Sequence, residues 1–207
     1  MDKKAMYKLS YGLFVLTAIS KGQVNGCIIN TAIQAASDPN QMSICVNKAN
    51  HTHDMVLESG RFCVSVISQD ADFALFKRFG FQSGRDANKF SGYKEFEFGK
   101  NGLPYITEGT NAYFEVIVDK TVDLGSHTMF IGNIADMEVL STAGSATYEY
   151  YQENIKPKPE KVGATPQGKT IWRCRICGYE YTDGDLPEDF ICPICKHPAS
   201  DFEKVTI

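Results

Sequence analysis

Four of the seven cysteines crowd the last 34 residues, as Cys174-Arg175-Ile176-Cys177 and Cys192-Pro193-Ile194-Cys195, with 14 residues between the pairs. Two C-x-x-C hairpins at this spacing bring four thiolates to the corners of a tetrahedron, which suits zinc or a single iron. Spacing alone leaves both metals open, because a structural zinc ribbon fits it equally well. The other three, Cys27, Cys45 and Cys63, lie on strand-like runs without ligand spacing, and core packing is the expected role. An odd cysteine count in a chain of 207 residues disfavours a secreted disulfide scaffold. His51-Thr52-His53 has no third ligand near it in sequence, so no metal is expected there.

A second set of chemistry-bearing residues lies upstream. Thr52 falls where a helix should begin, so its hydroxyl and the helix's first N–H groups suit a phosphate. Arg85 or Lys89 supplies the countercharge that a phosphate dianion requires. Taken singly, each has a plainer role: Thr52 as an N-cap, Arg85 and Lys89 as surface charges, and His127 as a structural strand residue.

These residues need a scaffold. Short runs rich in Val, Ile, Phe and Cys cover Phe14–Ser20, Gln23–Asn30, Ser43–Asn47, Phe62–Ile67, Ala112–Val122 and Thr128–Ile134. Helical spacing follows Thr52 (Met55, Val56, Ser59, then Gly60) and Asp70 (Phe73, Leu75, Phe76, Phe79, then Gly80). A mainly β barrel is expected rather than alternating β-α units. No G-x-G-x-x-G follows a strand and no Walker loop is present.

The segment Asn154–Gly168 holds Pro157, Pro159 and Pro166 and has no apolar periodicity, so it reads as an extended linker. It divides a body, residues 1–153, from a tail, residues 169–207, and a tail so small needs a metal or a partner to fold. With 21 basic and 25 acidic side chains the formal charge is −4, which argues against a nucleic-acid binder. The run Leu13–Ile19 is too short to span a membrane and lacks a small-residue cleavage pattern behind it, so a cytoplasmic location is expected. Five acids between Glu180 and Asp189, with no base, form a solvated face or a docking surface for a basic partner.

The tail resembles a rubredoxin over Trp172–Val205. The resemblance rests on both cysteine knuckles, on Gly178-Tyr179 and Tyr181, on Asp185-Leu186-Pro187 and Phe190, and on Phe202. It implies one iron held by Cys174, Cys177, Cys192 and Cys195. Two departures are a shorter stretch between the knuckles and Lys196, where that family usually has glycine. Over Tyr7–Tyr151 the chain is similar to the flavin reductase-like FMN-binding split barrels. Gly26-Cys-Ile-Ile-Asn30-Thr31-Ala32 resembles the segment that embraces the flavin ring, and Asn47-Lys48-Ala-Asn-His51-Thr52 the second flavin segment. Ser83-Gly84-Arg85-Asp86-Ala-Asn-Lys89 resembles the phosphate-side motif, and Gly125-Ser-His127-Thr128-Met-Phe130-Ile-Gly132 a strand whose histidine acts near the ring.

That layout resembles the high-molecular-weight rubredoxins. The resemblance implies electron transfer from NAD(P)H through FMN to the iron, a homodimer, and a flavodiiron protein reducing O2 or NO as acceptor. The aromatic group Tyr148-Glu-Tyr150-Tyr151 is expected to cover the flavin or pack across the dimer interface. The alternatives are a flavin reductase that releases reduced flavin and carries a zinc ribbon, and a non-enzymatic binding module.

Overall fold

The computed structural model describes residues 3–157, 170–175, 179–192 and 198–206. The chain divides into two compact units, Met1–Lys156 and Pro157–Ile207.

In the first unit, β1 (Phe14–Ser20) is buried on both faces, which is why its sequence runs apolar without alternation. Lys21 and Gly22, both at positive φ (49° and 75°), reverse it into β2 (Gln23–Ile29). There follow β3 (Ile33–Ser37), β4 (Asn40–Asn47), α1 (His51–Ser59), β5 (Arg61–Ile67) and α2 (Phe73–Gly80). The small hairpin β6 (Phe96–Phe98) and β7 (Pro104–Ile106) precedes the long pair β8 (Thr110–Asp123) and β9 (His127–Val139).

Seven of these strands form one sheet in the order β2-β1-β5-β8-β9-β4-β3. The two edge strands, β2 and β3, are consecutive in the chain and joined only by residues 30–32. Their adjoining ends therefore meet, and the sheet curls into a barrel split along that seam. Leu16, Ile44, Val46, Phe62, Val64, Val116 and Phe130 fill the interior, and α1 adds Met55 and Val56. Each large side chain buried in this way stabilises the fold by roughly 1.5–3 kcal/mol. On the outer side, Val15 packs with Leu75, Phe76 and Phe79 of α2. Gly132 sits where β8 and β9 cross closely: a Cβ there would stand 2.3 Å from the Ile117 carbonyl oxygen.

Tyr148–Tyr150 form a helical turn, α3, that continues to Ile155. Tyr151 is buried, its ring centroid 4.3 Å from that of Phe76. It therefore closes the core under α2 of its own chain, and this corrects the expectation of a flavin cover or an interface for that ring. Asn154 and Ile155 belong to the same helical turn, and the rest of the proline-rich segment beyond Pro157 lies outside the described residues.

The second unit centres on β10 (Thr170–Cys174), flanked by β11 (Glu180–Tyr181) and β12 (Phe202–Thr206). Cys174, Cys192 and Phe202 form its buried cluster, with Trp172, Tyr179, Tyr181, Leu186 and Phe190 packed around them.

Candidate functional site

The body contains a cleft of about 450 Å³ lined by Gly22–Asn25, His51 and Met55 of α1, and the loop residues Gly84–Asn88 and Phe90. Its position follows from local chain chemistry. Asn50, in extended conformation, starts α1 without a side-chain cap, and a helix N-terminus favours negative charge. The His51 Nδ1 atom is buried with no hydrogen-bond partner, on a residue that lines the cleft. Arg85 also lines the cleft, with its Nη2 2.7 Å from Asp54 Oδ2. His53 donating to Asp54, and then Arg85, hold the Asp54 carboxyl below the usual carboxylate range. Gly84 is required for the close approach of this loop, since a Cβ there would lie 2.3 Å from Asn25 Nδ2.

Thr52 is the helix's second residue and not its cap. Its side chain is fully buried and its hydroxyl accepts from Asn25 Nδ2 at 3.0 Å, so only its backbone is left to meet a phosphate. Lys89 is likewise corrected. It is 3% exposed, and its Nζ donates to the carbonyls of Gly26 (2.8 Å) and Phe79 (2.9 Å). The ammonium thus ties β2 to the C-terminal end of α2, where a cation complements the helix dipole. Burial pulls the Lys89 pKa down. Of the two proposed countercharges, Arg85 is the one that faces the cleft.

The remaining positions gather on the outer face of β4 and β9. Asn47 is the register partner of His127. The Thr31 hydroxyl donates to the Cys45 carbonyl at 2.7 Å, which clips loop 30–32, with Asn30 and Ala32, against β4. Ala32 packs against the interior cluster. Lys48 pairs with Asp123 at 2.7 Å, and its amide donates to Ser126, the neighbour of His127. The His127 Nδ1 atom lies 2.9 Å from Ser126 Oγ. The turn between Asn47 and Asn50, closed by the Asn50 amide on the Asn47 carbonyl, joins this face to the start of α1. Asn25 and His53 were missed from sequence. Asn25 was legible only as a polar residue amid an apolar strand, and His53 only as a histidine beside an acid.

Cys27 and Cys63 are buried, and burial raises both thiols above their ordinary range. Cys45 is half-buried on the outer face. None has ligand geometry among the described residues.

In the tail, Cys174 and Cys192 are 1% and 0% exposed within one cluster. The Cys174 amide donates to the Tyr179 carbonyl at 2.8 Å. Two thiols far apart in sequence but buried in one cluster fit a thiolate metal site; Cys177, Cys195 and Lys196 lie outside the described residues.

Residues 6–158 match the flavin reductase like domain, and residues 172–203 match the rubrerythrin, rubredoxin-like domain. The chain belongs to the flavin reductase like family. It carries a rubredoxin-like domain at its C-terminal end. It is 34% identical to a high molecular weight rubredoxin of Moorella thermoacetica, over 99% of this chain and 100% of that protein. It is 41% identical to a ferric-chelate reductase (NAD(P)H) of Archaeoglobus fulgidus, over 83% of this chain and 98% of that protein. In fold it is similar to an FMN-binding protein from Thermus thermophilus, with a TM-score of 0.58 and 23% identity over 64% of this chain and 72% of that one. Among the described residues no helix is long and apolar enough to cross a membrane.

Proposed function

We propose that this oxidoreductase passes electrons from NAD(P)H through FMN to an iron held by Cys174, Cys177, Cys192 and Cys195, and on to a redox partner. The observation that carries the reading is the pairing of two sites in one family member. A cleft joins Arg85, the unpartnered His51 nitrogen and a helix N-terminus, and a tail buries two of its four knuckle thiols together. The full-length likeness to a high molecular weight rubredoxin supports it.

When bound, FMN supplies the exchange between a two-electron donor and one-electron acceptors, and iron accepts one electron at a time. The chain's residues bind and orient. Arg85 and the first amides of α1 would hold the phosphate, and His51 would donate to or accept from the same end of the ligand. Asn30, Thr31, Ala32, Asn47, Lys48 and His127 would hold the ring, with His127 the candidate catalytic residue. Thr52 shapes the floor of the cleft through Asn25, and Lys89 fixes the strand behind it. The proline-rich segment 154–168 tethers the tail, the body assembles as a homodimer, and the partner is a flavodiiron protein.

The likeness to the ferric-chelate reductase favours a second acceptor, a ferric chelate reduced by the same flavin. The absorbance spectrum and metal content of the purified protein test the main reading. Flavin and iron in equal amounts are expected. Flavin with zinc would turn the reading to a flavin reductase with a structural tail, and absence of flavin would turn it to a binding module.

A further inference from the structure

Arg85 stands on a loop, and its side chain is 48% exposed. A long side chain so placed loses up to about 2 kcal/mol of rotamer entropy when a ligand fixes it, unless the protein has already done so. Here a chain of hydrogen bonds runs from it into the barrel interior. Arg85 Nη2 donates to Asp54 Oδ2 at 2.7 Å. The other carboxylate oxygen, Oδ1, accepts from His53 Nδ1 at 2.9 Å. His53 Nε2 lies 2.8 Å from Thr128 Oγ1 on β9. An ionised Asp54 only accepts, so Nδ1 carries a proton, and Nε2 pairs with the Thr128 hydroxyl.

The inner members of this chain are buried and packed. His53 is 5% exposed and Thr128 is 7% exposed, and the His53 ring meets Phe130 edge-on at 5.7 Å. Asp54 sits in the first turn of α1, where an unpaired carboxylate would repel a phosphate. Paired with Arg85, it contributes no net charge and leaves the remaining guanidinium N–H groups for the ligand.

We propose that His53 is a positioning residue: anchored on Thr128, it fixes Asp54, and through Asp54 it holds Arg85 ready for the flavin's phosphate. The proposal rests on the reading that Arg85 meets that phosphate. It assigns to a buried histidine that touches no ligand a share of the enzyme's preference for a phosphorylated flavin.

The test compares binding of FMN with binding of riboflavin, which lacks the phosphate, to the flavin-stripped full-length protein. Arg85→Ala should lower the preference for FMN about tenfold, as loss of a charge-assisted hydrogen bond does. His53→Ala should lower it about fivefold and leave riboflavin binding unchanged. Thr128→Val keeps the side-chain volume and should lower it about two- to threefold, which covers the case in which the alanine variant does not fold. His53→Asn, which puts an amide donor near the position of Nδ1, should restore most of the preference. The double variant Arg85→Ala/His53→Ala should be no worse than Arg85→Ala alone. If Arg85→Ala lowers the preference while His53→Ala and Thr128→Val leave it intact, or weaken both flavins equally, the relay is overturned and the phosphate site stands. If Arg85→Ala itself leaves the preference unchanged, both fall.

Discussion

The body and the tail place their chemistry by opposite means. In the body, aliphatic and aromatic side chains fill the barrel, and polar relays then aim a few residues into a cleft on its surface. In the tail, two of the four knuckle thiols are themselves the buried core, with Phe202. A cleft residue in the body is thus separable from the fold, whereas a ligand in the tail is not. This difference can be broken by experiment in four places.

The largest effect is expected in the tail. Cys174→Ser should remove a metal ligand whose binding supplies folding energy on the order of 10 kcal/mol, and the tail should unfold. Calorimetry on the full chain should then retain the body's melting transition while the iron absorbance disappears. Loss of both together would mean that the two units do not fold separately.

In the body, an effect of comparable kind needs a buried polar anchor. Glu115 is fully buried, and its carboxylate accepts from the Asn101 amide (2.9 Å), Asn101 Nδ2 (3.0 Å) and the Leu103 amide (2.9 Å). Glu115→Ala leaves these donors unpaired inside and should cost about 3 kcal/mol. The body's melting temperature should fall roughly 6–12 °C. The tail's iron spectrum should not change.

A smaller change reaches the cleft itself. A methyl group at Gly84 would strike the Asn25 amide, which must then leave Thr52. Gly84→Ala should cost about 1–2 kcal/mol and weaken FMN binding, with no effect on metal content. Unaltered flavin affinity in a folded variant would show that the Asn25–Thr52 contact does not shape the cleft.

The smallest effect is electrostatic. Lys100 first, then the Tyr113 hydroxyl, holds the Asp136 carboxyl below its usual range. A carboxylate depressed on folding stabilises fully above its unfolded value, near pH 4, and that stability is lost as pH falls through its folded value. Urea midpoints measured from pH 7 to pH 3 should therefore fall more steeply for wild type than for Asp136→Asn. Equal slopes would remove Asp136 from the account.

The longer body strands that bury apolar residues were legible in the sequence, whereas β7, buried but only three residues long, was not. Phe14–Ser20 was read with the bounds it has, and both body helices were found from their apolar spacing and following glycines. β3 was missed because it is an edge strand whose residues are mostly exposed, so no apolar pattern marks it. The outer half of β9 was missed for the same reason. Arg85 lines the cleft, in keeping with the motif that suggested it. Lys89 was misread because charge alone does not tell a surface cation from one bound to two carbonyls. Thr52 was misplaced because a threonine near a helix start looks like a cap, although here Asn50 precedes it. Asn25 and His53 act through tertiary hydrogen bonds across 27 and 75 residues, and no local pattern encodes such partners.

The central claim is that one chain carries electrons from a nicotinamide through the body to the tail. Anaerobic mixing of the purified protein with NADH or NADPH, followed by stopped-flow absorbance, tests it most directly. The account predicts that the flavin band bleaches first and the iron–thiolate bands then bleach in the same turnover. A flavin that is reduced while the iron stays oxidised would contradict it.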